Sequence, residues 1–98
     1  MRRRAKVDAN QKEIVELLRS MGCSVCLLHT VGAGVPDLLV GLTSFKGNKI
    51  NILMEIKDGD KKRLTPDQIQ FHEDWKGIIC VAHSVKKAED IIDYYRRQ

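Results

Sequence analysis

Ile50-Asn51-Ile52-Leu53-Met54-Glu55-Ile56-Lys57, residues 50–57, is a run of apolar and β-branched side chains that ends in two charges. It reads as a strand. A strand repeats its side-chain direction every two residues, so Glu55 and Lys57 share one face while Ile56 points into the opposite layer. Just upstream, Lys46-Gly47-Asn48-Lys49 supplies turn residues, and before it Asp37 to Gly41 forms another apolar strand. A first strand over Ser24 to His29 is separated from that one by Gly32-Ala33-Gly34, which allows a tight turn. Strands spaced so closely predict an antiparallel meander.

Working outward, the spacing of Ile14, Leu17, Leu18 and Met21 predicts a helix from about Ala9 to Met21, with Asn10 or Asp8 as its cap and Gly22 as its stop. On the other side, Thr65-Pro66-Asp67-Gln68 opens a second helix as an N-cap, a proline at the first position and a glutamine that completes a capping box. Its inner face is expected from Ile69, His72 and Trp75 or Phe71, with Gly77 at its end. Ile78 to Ala82 is wholly apolar, as expected of an interior strand covered on both sides. Ser84 caps a last helix carrying Val85, Ala88, Ile91, Ile92 and Tyr95 at helical spacing. Strand three, helix two and strand four make a crossover, for which a right-handed connection and parallel strands are the rule. The expected fold is an α/β sandwich in the order αβββαβα around a four-stranded mixed sheet flanked by helices.

The chain has 98 residues, 43% hydrophobic and 31% charged, enough for one small domain. Such a chain buries only roughly 60–70% of its unfolded surface, so pairing with another subunit would help it. No apolar run approaches the ~20 residues of a membrane span, and no apolar segment follows the basic start. A cytoplasmic protein is expected. Net charge is +4 with a pI near 9.1, which favours a polyanionic partner. Positive charge gathers at Arg2, Arg3, Arg4 and Lys6, in a basic N-terminal segment 1–7 expected to be flexible, at Lys57, Lys61, Lys62 and Arg63, and at Arg96 and Arg97. Such clusters neutralise phosphates or simply face solvent. Three cysteines make an odd count and argue against a disulfide framework. Cys23-Ser24-Val25-Cys26 with His29 resembles a zinc motif, but on a strand residues three apart point to opposite faces. Buried reduced thiols are expected instead.

If strands two and three pair as a hairpin, Asp37 near the start of one lies beside Glu55 and Lys57 near the end of the other. Two carboxylates and an ammonium then meet at one edge of the sheet. Magnesium takes oxygen ligands, typically one or two carboxylates with retained waters. Asp37 and Glu55 would anchor it, and the carbonyl of Ile56 could join them. A lysine beside such an ion orients an attacking water and balances charge. Against this stands a plainer reading, in which Asp after proline starts a strand and alternating Glu and Lys solubilise an outer face. The residues alone leave both open.

Gly34-Val35-Pro36-Asp37-Leu38-Leu39-Val40-Gly41, Leu53-Met54-Glu55-Ile56-Lys57, Leu64-Thr65-Pro66-Asp67-Gln68 and Trp75 together resemble the VRR-NUC family. This is the virus-type replication-repair branch of the PD-(D/E)XK nucleases, and the similarity spans roughly Val7 to Ala88. The resemblance implies a restriction-endonuclease-like fold and a magnesium-dependent endonuclease, with manganese able to substitute. It implies Asp37, Glu55, Lys57 and Gln68 as catalytic residues, and Glu13, Asp37, Glu55 and the Ile56 carbonyl as metal ligands. Glu13 could also close a capping box with Asn10, and Gln68 one with Thr65; Glu16 is the other acid on that helix. Stand-alone relatives of this size, many from phages and bacteria, are similar to dimeric Holliday junction resolvases. A homodimer on four-way or other branched DNA is therefore expected, in the cytoplasm of a bacterium or phage-infected cell. Arg2, Arg3, Arg4, Lys61, Lys62 and Arg63 would contact its backbone. The rival expectations are a monomeric flap or nicking nuclease, a non-catalytic DNA-binding module, and an adaptor using exposed Phe45, Tyr94 and Tyr95.

Overall fold

A computed structural model describes residues 8–98, so the expectations for the basic segment 1–7, including Arg2, Arg3 and Arg4 as DNA contacts, lie outside the described residues. The elements are α1 (Gln11–Ser20), β1 (Ser24–Leu27), β2 (Leu38–Thr43), β3 (Lys49–Ile56), α2 (Pro66–Asp74), β4 (Ile79–Ala82) and α3 (Val85–Arg96), in the expected order. Local chemistry explains the ends. Thr65 Oγ1 accepts from Gln68 N at 3.3 Å while Gln68 Oε1 accepts from Thr65 N at 2.9 Å, a complete capping box for α2. Ser84 Oγ accepts from Lys87 N at 3.0 Å and opens α3. Asn10 stands at the N-cap of α1 but makes no side-chain cap, so the capping box with Glu13 is absent.

The four strands form one sheet in the order β1-β2-β3-β4. β1 with β2 and β2 with β3 are antiparallel, and β3 with β4 is parallel, as the helical crossover predicts. Leu38 faces Met54 and Val40 faces Ile52, so alternate residues build two unlike faces. One carries Leu38, Val40, Leu42, Ile52, Met54 and Ile56, and packs with Ile14 and Leu18 of α1 and Ile91 and Ile92 of α3. Each such side chain fully buried contributes about 1.5–3 kcal/mol, and this layer is the core. The opposite face carries Glu55 and is covered thinly by α2, which buries none of its residues.

That thin cover corrects two expectations. Ile69 and Trp75 are 44% and 46% exposed and do not form the inner face of α2, whereas Phe71 and His72 are half-buried as expected and Gln68 turns to β3. Helical spacing names residues that share a face but not which face meets the sheet. Nor is β4 an interior strand. It lies at the sheet edge with its first three residues only half-buried, and its apolar composition reflects packing of Cys80 and Ala82 against the core. The cysteines are all free, with Cys23 buried, Cys80 half-buried and Cys26 exposed, so burial holds only in part.

Candidate active site

Pro36 is fully buried and fixes the chain just before β2. The β1–β2 ladder continues one step past its ends through Leu28 N donating to Asp37 O at 2.7 Å. On the other side, the register that pairs Leu38 with Met54 places Asp37 opposite Glu55. Its side chain then takes the place of a backbone acceptor: Asp37 Oδ2 receives the Ile56 N–H at 2.7 Å. The carboxylate is held by a charge-assisted bond at the end of the hairpin, and the backbone of Ile56 lies at the same edge.

Glu55 is 2% exposed and Lys57 8%, an unusual depth for two ionisable side chains in a domain this small. Burial pushes the Glu55 carboxyl up to about 9, with a shared proton and the charge of Asp37 adding to the rise and the Lys57 ammonium opposing it. Gln68 Nε2 donates to Glu55 Oε2 at 3.3 Å, so this glutamine both caps α2 and braces the carboxyl. Glu55 Oε1 is buried with no donor among the described residues. A buried acceptor left over in this way is completed by a proton or by a cation. The spacing read from the sequence thus corresponds to a real meeting of Asp37, Glu55, Lys57 and Gln68.

Two further side chains reach this edge that sequence reasoning assigned only to capping. Asn10 Nδ2 donates to the Lys57 carbonyl at 3.2 Å, tying the start of α1 to the end of β3. The charge of Asp8 is felt at Glu55, and its carboxylate pairs with Lys62 at 2.9 Å. Glu13, by contrast, is exposed on α1, whose inward face is Gln11, Ile14, Val15 and Leu18, and no described contact joins it to the other site residues. The helical period carried that signal, because Gln11 precedes Ile14 by three residues and Val15 by four. Glu16 is exposed as well. Lys61, Lys62 and Arg63 lie exposed in the loop from β3 to α2, where Lys62 already has Asp8 as partner.

Asp37, Glu55 and the Ile56 backbone suit a hard cation: oxygen donors, a leftover buried carboxylate oxygen and a neighbouring ammonium. Among the described residues a second acidic group, Glu89, Asp90 and Asp93, has oxygens within 4.8 Å of one another on α3. Its members are largely exposed, and Glu89 and Asp90 pair with Lys86 at 3.5 and 3.0 Å, so it reads as a solvated helix face. No helix among the described residues is long and apolar enough to cross a membrane.

No protein-family model matches the sequence, and no curated protein matches it. Among solved structures, one described as "VRR_NUC domain" is similar, with a TM-score of 0.68 and 28% identity over 87% of this chain and 91% of that one.

Proposed function

Within the VRR-NUC family, to which this chain belongs as a nuclease domain, we propose that it is a magnesium-dependent, structure-selective DNA endonuclease that resolves four-way junctions. The observation that carries the reading is the Glu55 carboxyl, sunk against Asp37 and beside Lys57 with one oxygen lacking a donor. Residues 1–98 then make one nuclease domain.

Asp37, Glu55 and the Ile56 carbonyl would hold the cation, with manganese able to replace magnesium. When bound, it supplies Lewis acidity toward a phosphodiester oxygen and a water of lowered pKa. The protein's own part is positional. Asp37 is fixed by the Ile56 N–H, and Glu55 by Gln68, so the carboxylates present their oxygens without rearranging. Lys57, nearly buried, offers an ammonium to the water and to negative charge that develops at phosphorus. Gln68 keeps Glu55 turned toward that edge. Glu13, exposed on α1, would add a further carboxylate ligand from that helix. Lys61, Lys62 and Arg63 would meet the DNA backbone, as would Arg2, Arg3 and Arg4, positioning a substrate without reading its bases. A homodimer would place two such edges for paired cuts, and a domain with so little core gains from association.

The test is incubation of the purified protein with a labelled four-way junction, a flap and a plain duplex, each with magnesium and with EDTA. Junction cleavage that requires magnesium and vanishes in Asp37→Asn, while junction binding persists, is expected, with a solution mass of two chains. Preference for flaps by a single chain would replace the resolvase with a flap or nicking nuclease. Full activity of Asp37→Asn would remove the catalytic assignment, and junction binding without any cleavage would leave a DNA-binding module.

A further inference from the structure

We propose that the cavity between α2 and the Gly32-Ala33-Gly34 turn is a docking pocket for an arginine side chain of a partner protein. It has a volume of about 270 Å³ and is lined by Ala33, Asp67, Gln70, Phe71, Asp74 and Trp75. That is below the roughly 300–1,000 Å³ of pockets for drug-sized ligands and suits a single planar group.

The walls are built. Gly34 packs so closely on the first turn of α2 that a Cβ there would stand 2.6 Å from the Asp67 carbonyl carbon, which brings the turn and the helix together as two sides of one cleft. Phe71 and Trp75 stack, with centroids 5.4 Å apart and planes 13° from parallel. Behind the indole, Gly77 has no Cβ; one would sit 2.8 Å from Trp75 Nε1, so this glycine lets the ring lie where it does. Gln70 Nε2 donates to Asp74 Oδ2 at 2.9 Å and sets that carboxylate in place one turn along the helix.

The occupant follows from charge. The chain as a whole carries +4, yet this cleft presents two carboxylates and no basic side chain among its lining residues. A nucleic acid would bring phosphates against both carboxylates, whereas a guanidinium gains from every wall. Its plane stacks on an aromatic face, its fork of donors matches carboxylate oxygens, and it sheds water more readily than an ammonium. The inference is independent of the nuclease reading, because none of the lining residues belongs to the Asp37, Glu55, Lys57 and Gln68 set.

Trp75 is the single tryptophan of the chain, so its fluorescence reports on this cleft alone. The full-length protein is titrated with a ten-residue peptide alternating arginine and serine, with its lysine counterpart, and with an unpaired oligonucleotide. A saturable change with the arginine peptide is expected, several-fold weaker with lysine. Asp67→Asn combined with Asp74→Asn should weaken binding on the order of tenfold, equivalent to about 1.4 kcal/mol. Gly77→Ala, which displaces the indole and leaves both carboxylates, should weaken it too, and thermal melts confirm that each variant is folded. Equal response to arginine and lysine, or a response that survives the double asparagine change, overturns the proposal. So does a saturable change with the oligonucleotide alone, which would make the cleft a nucleobase site. A shift in the peptide-free fluorescence on changing Arg2, Arg3 and Arg4 to serine would make the occupant the chain's own basic segment.

Discussion

Replacing Glu55 by glutamine should make the metal-free protein more stable, and increasingly so as pH rises. In the fold the carboxyl keeps its proton up to about 9, whereas the unfolded chain releases it near the ordinary value of 4.5. Between those limits the native state binds more protons than the unfolded state, so raising pH favours unfolding. The contribution is therefore fully present below about 4.5 and is lost progressively as pH climbs toward 9. The slope is at most about 1.4 kcal/mol per pH unit, which by pH 7.5 amounts to roughly 4 kcal/mol as an upper limit. Local opening that admits water to the carboxylate caps the loss below that figure. Glutamine has the shape of the protonated acid, and its amide can donate to Asp37 as the acid proton does, but it does not titrate. Urea unfolding followed by circular dichroism in EDTA, at pH 5, 6, 7 and 8, measures both proteins. The two stabilities should diverge with pH, and saturating magnesium should flatten the wild-type slope by supplying the charge that Glu55 lacks. Parallel stability curves in EDTA would refute the reasoning, since Glu55 would then be ionised in the fold and no proton would be shared with Asp37.

Thr65→Ala removes the cap of α2 and should cost about 1 kcal/mol, while Gln68→Ala should cost that much and also loosen Glu55; thermal melts compared with magnesium calorimetry separate the two, because only the glutamine change should weaken metal binding. Gly34→Ala combines a left-handed backbone, φ +80°, with a Cβ driven into the Asp67 backbone, and a loss of about 1–3 kcal/mol in urea titrations is expected, with α2 displaced from the sheet. Asn10→Ala should cost about 1 kcal/mol through the lost bond to the Lys57 carbonyl, measured in the same titrations, whereas Glu13→Ala should change stability by less than about 0.5 kcal/mol. A maleimide probe should label Cys26 in the native protein within minutes, while Cys80, whose thiol burial pushes up to about 12, and buried Cys23 should react only on unfolding; mass spectrometry of the digested protein reads the order.

What was legible in the sequence was whatever a short-range rule governs. The period of two placed Glu55 and Lys57 on one face before any pairing was known, and the turn residues at 46–49 returned the chain so that Asp37 met them. Thr65 and Gln68 announced their mutual bonds by spacing alone. The nuclease family was legible too, but from four motifs taken together; Asp37 or Glu55-Ile56-Lys57 alone would have fitted a solubilised sheet surface.

The remainder depended on rotations and docking that local rules leave free. Ile69 and Trp75 looked inward because apolar residues usually do, yet the rotation of α2 is set by Gln68 reaching Glu55 and by Gly34 pressing on its first turn, contacts made across 13 and 33 residues. Asn10 looked like a cap because asparagine often is one, and instead spends its amide on a carbonyl 47 residues away. These departures share a location. The start of α1, the end of β3 and the first turn of α2 converge there, and each offers polar groups that ordinary packing would have capped or exposed to water. The same convergence gives Asn10 its partner: the part of α1 that touches β3 is its N-cap, and the buried face beyond it, Ile14, Val15 and Leu18, packs into the core. Asp8, two residues before that cap, ties the same edge to the β3–α2 loop through its ion pair with Lys62.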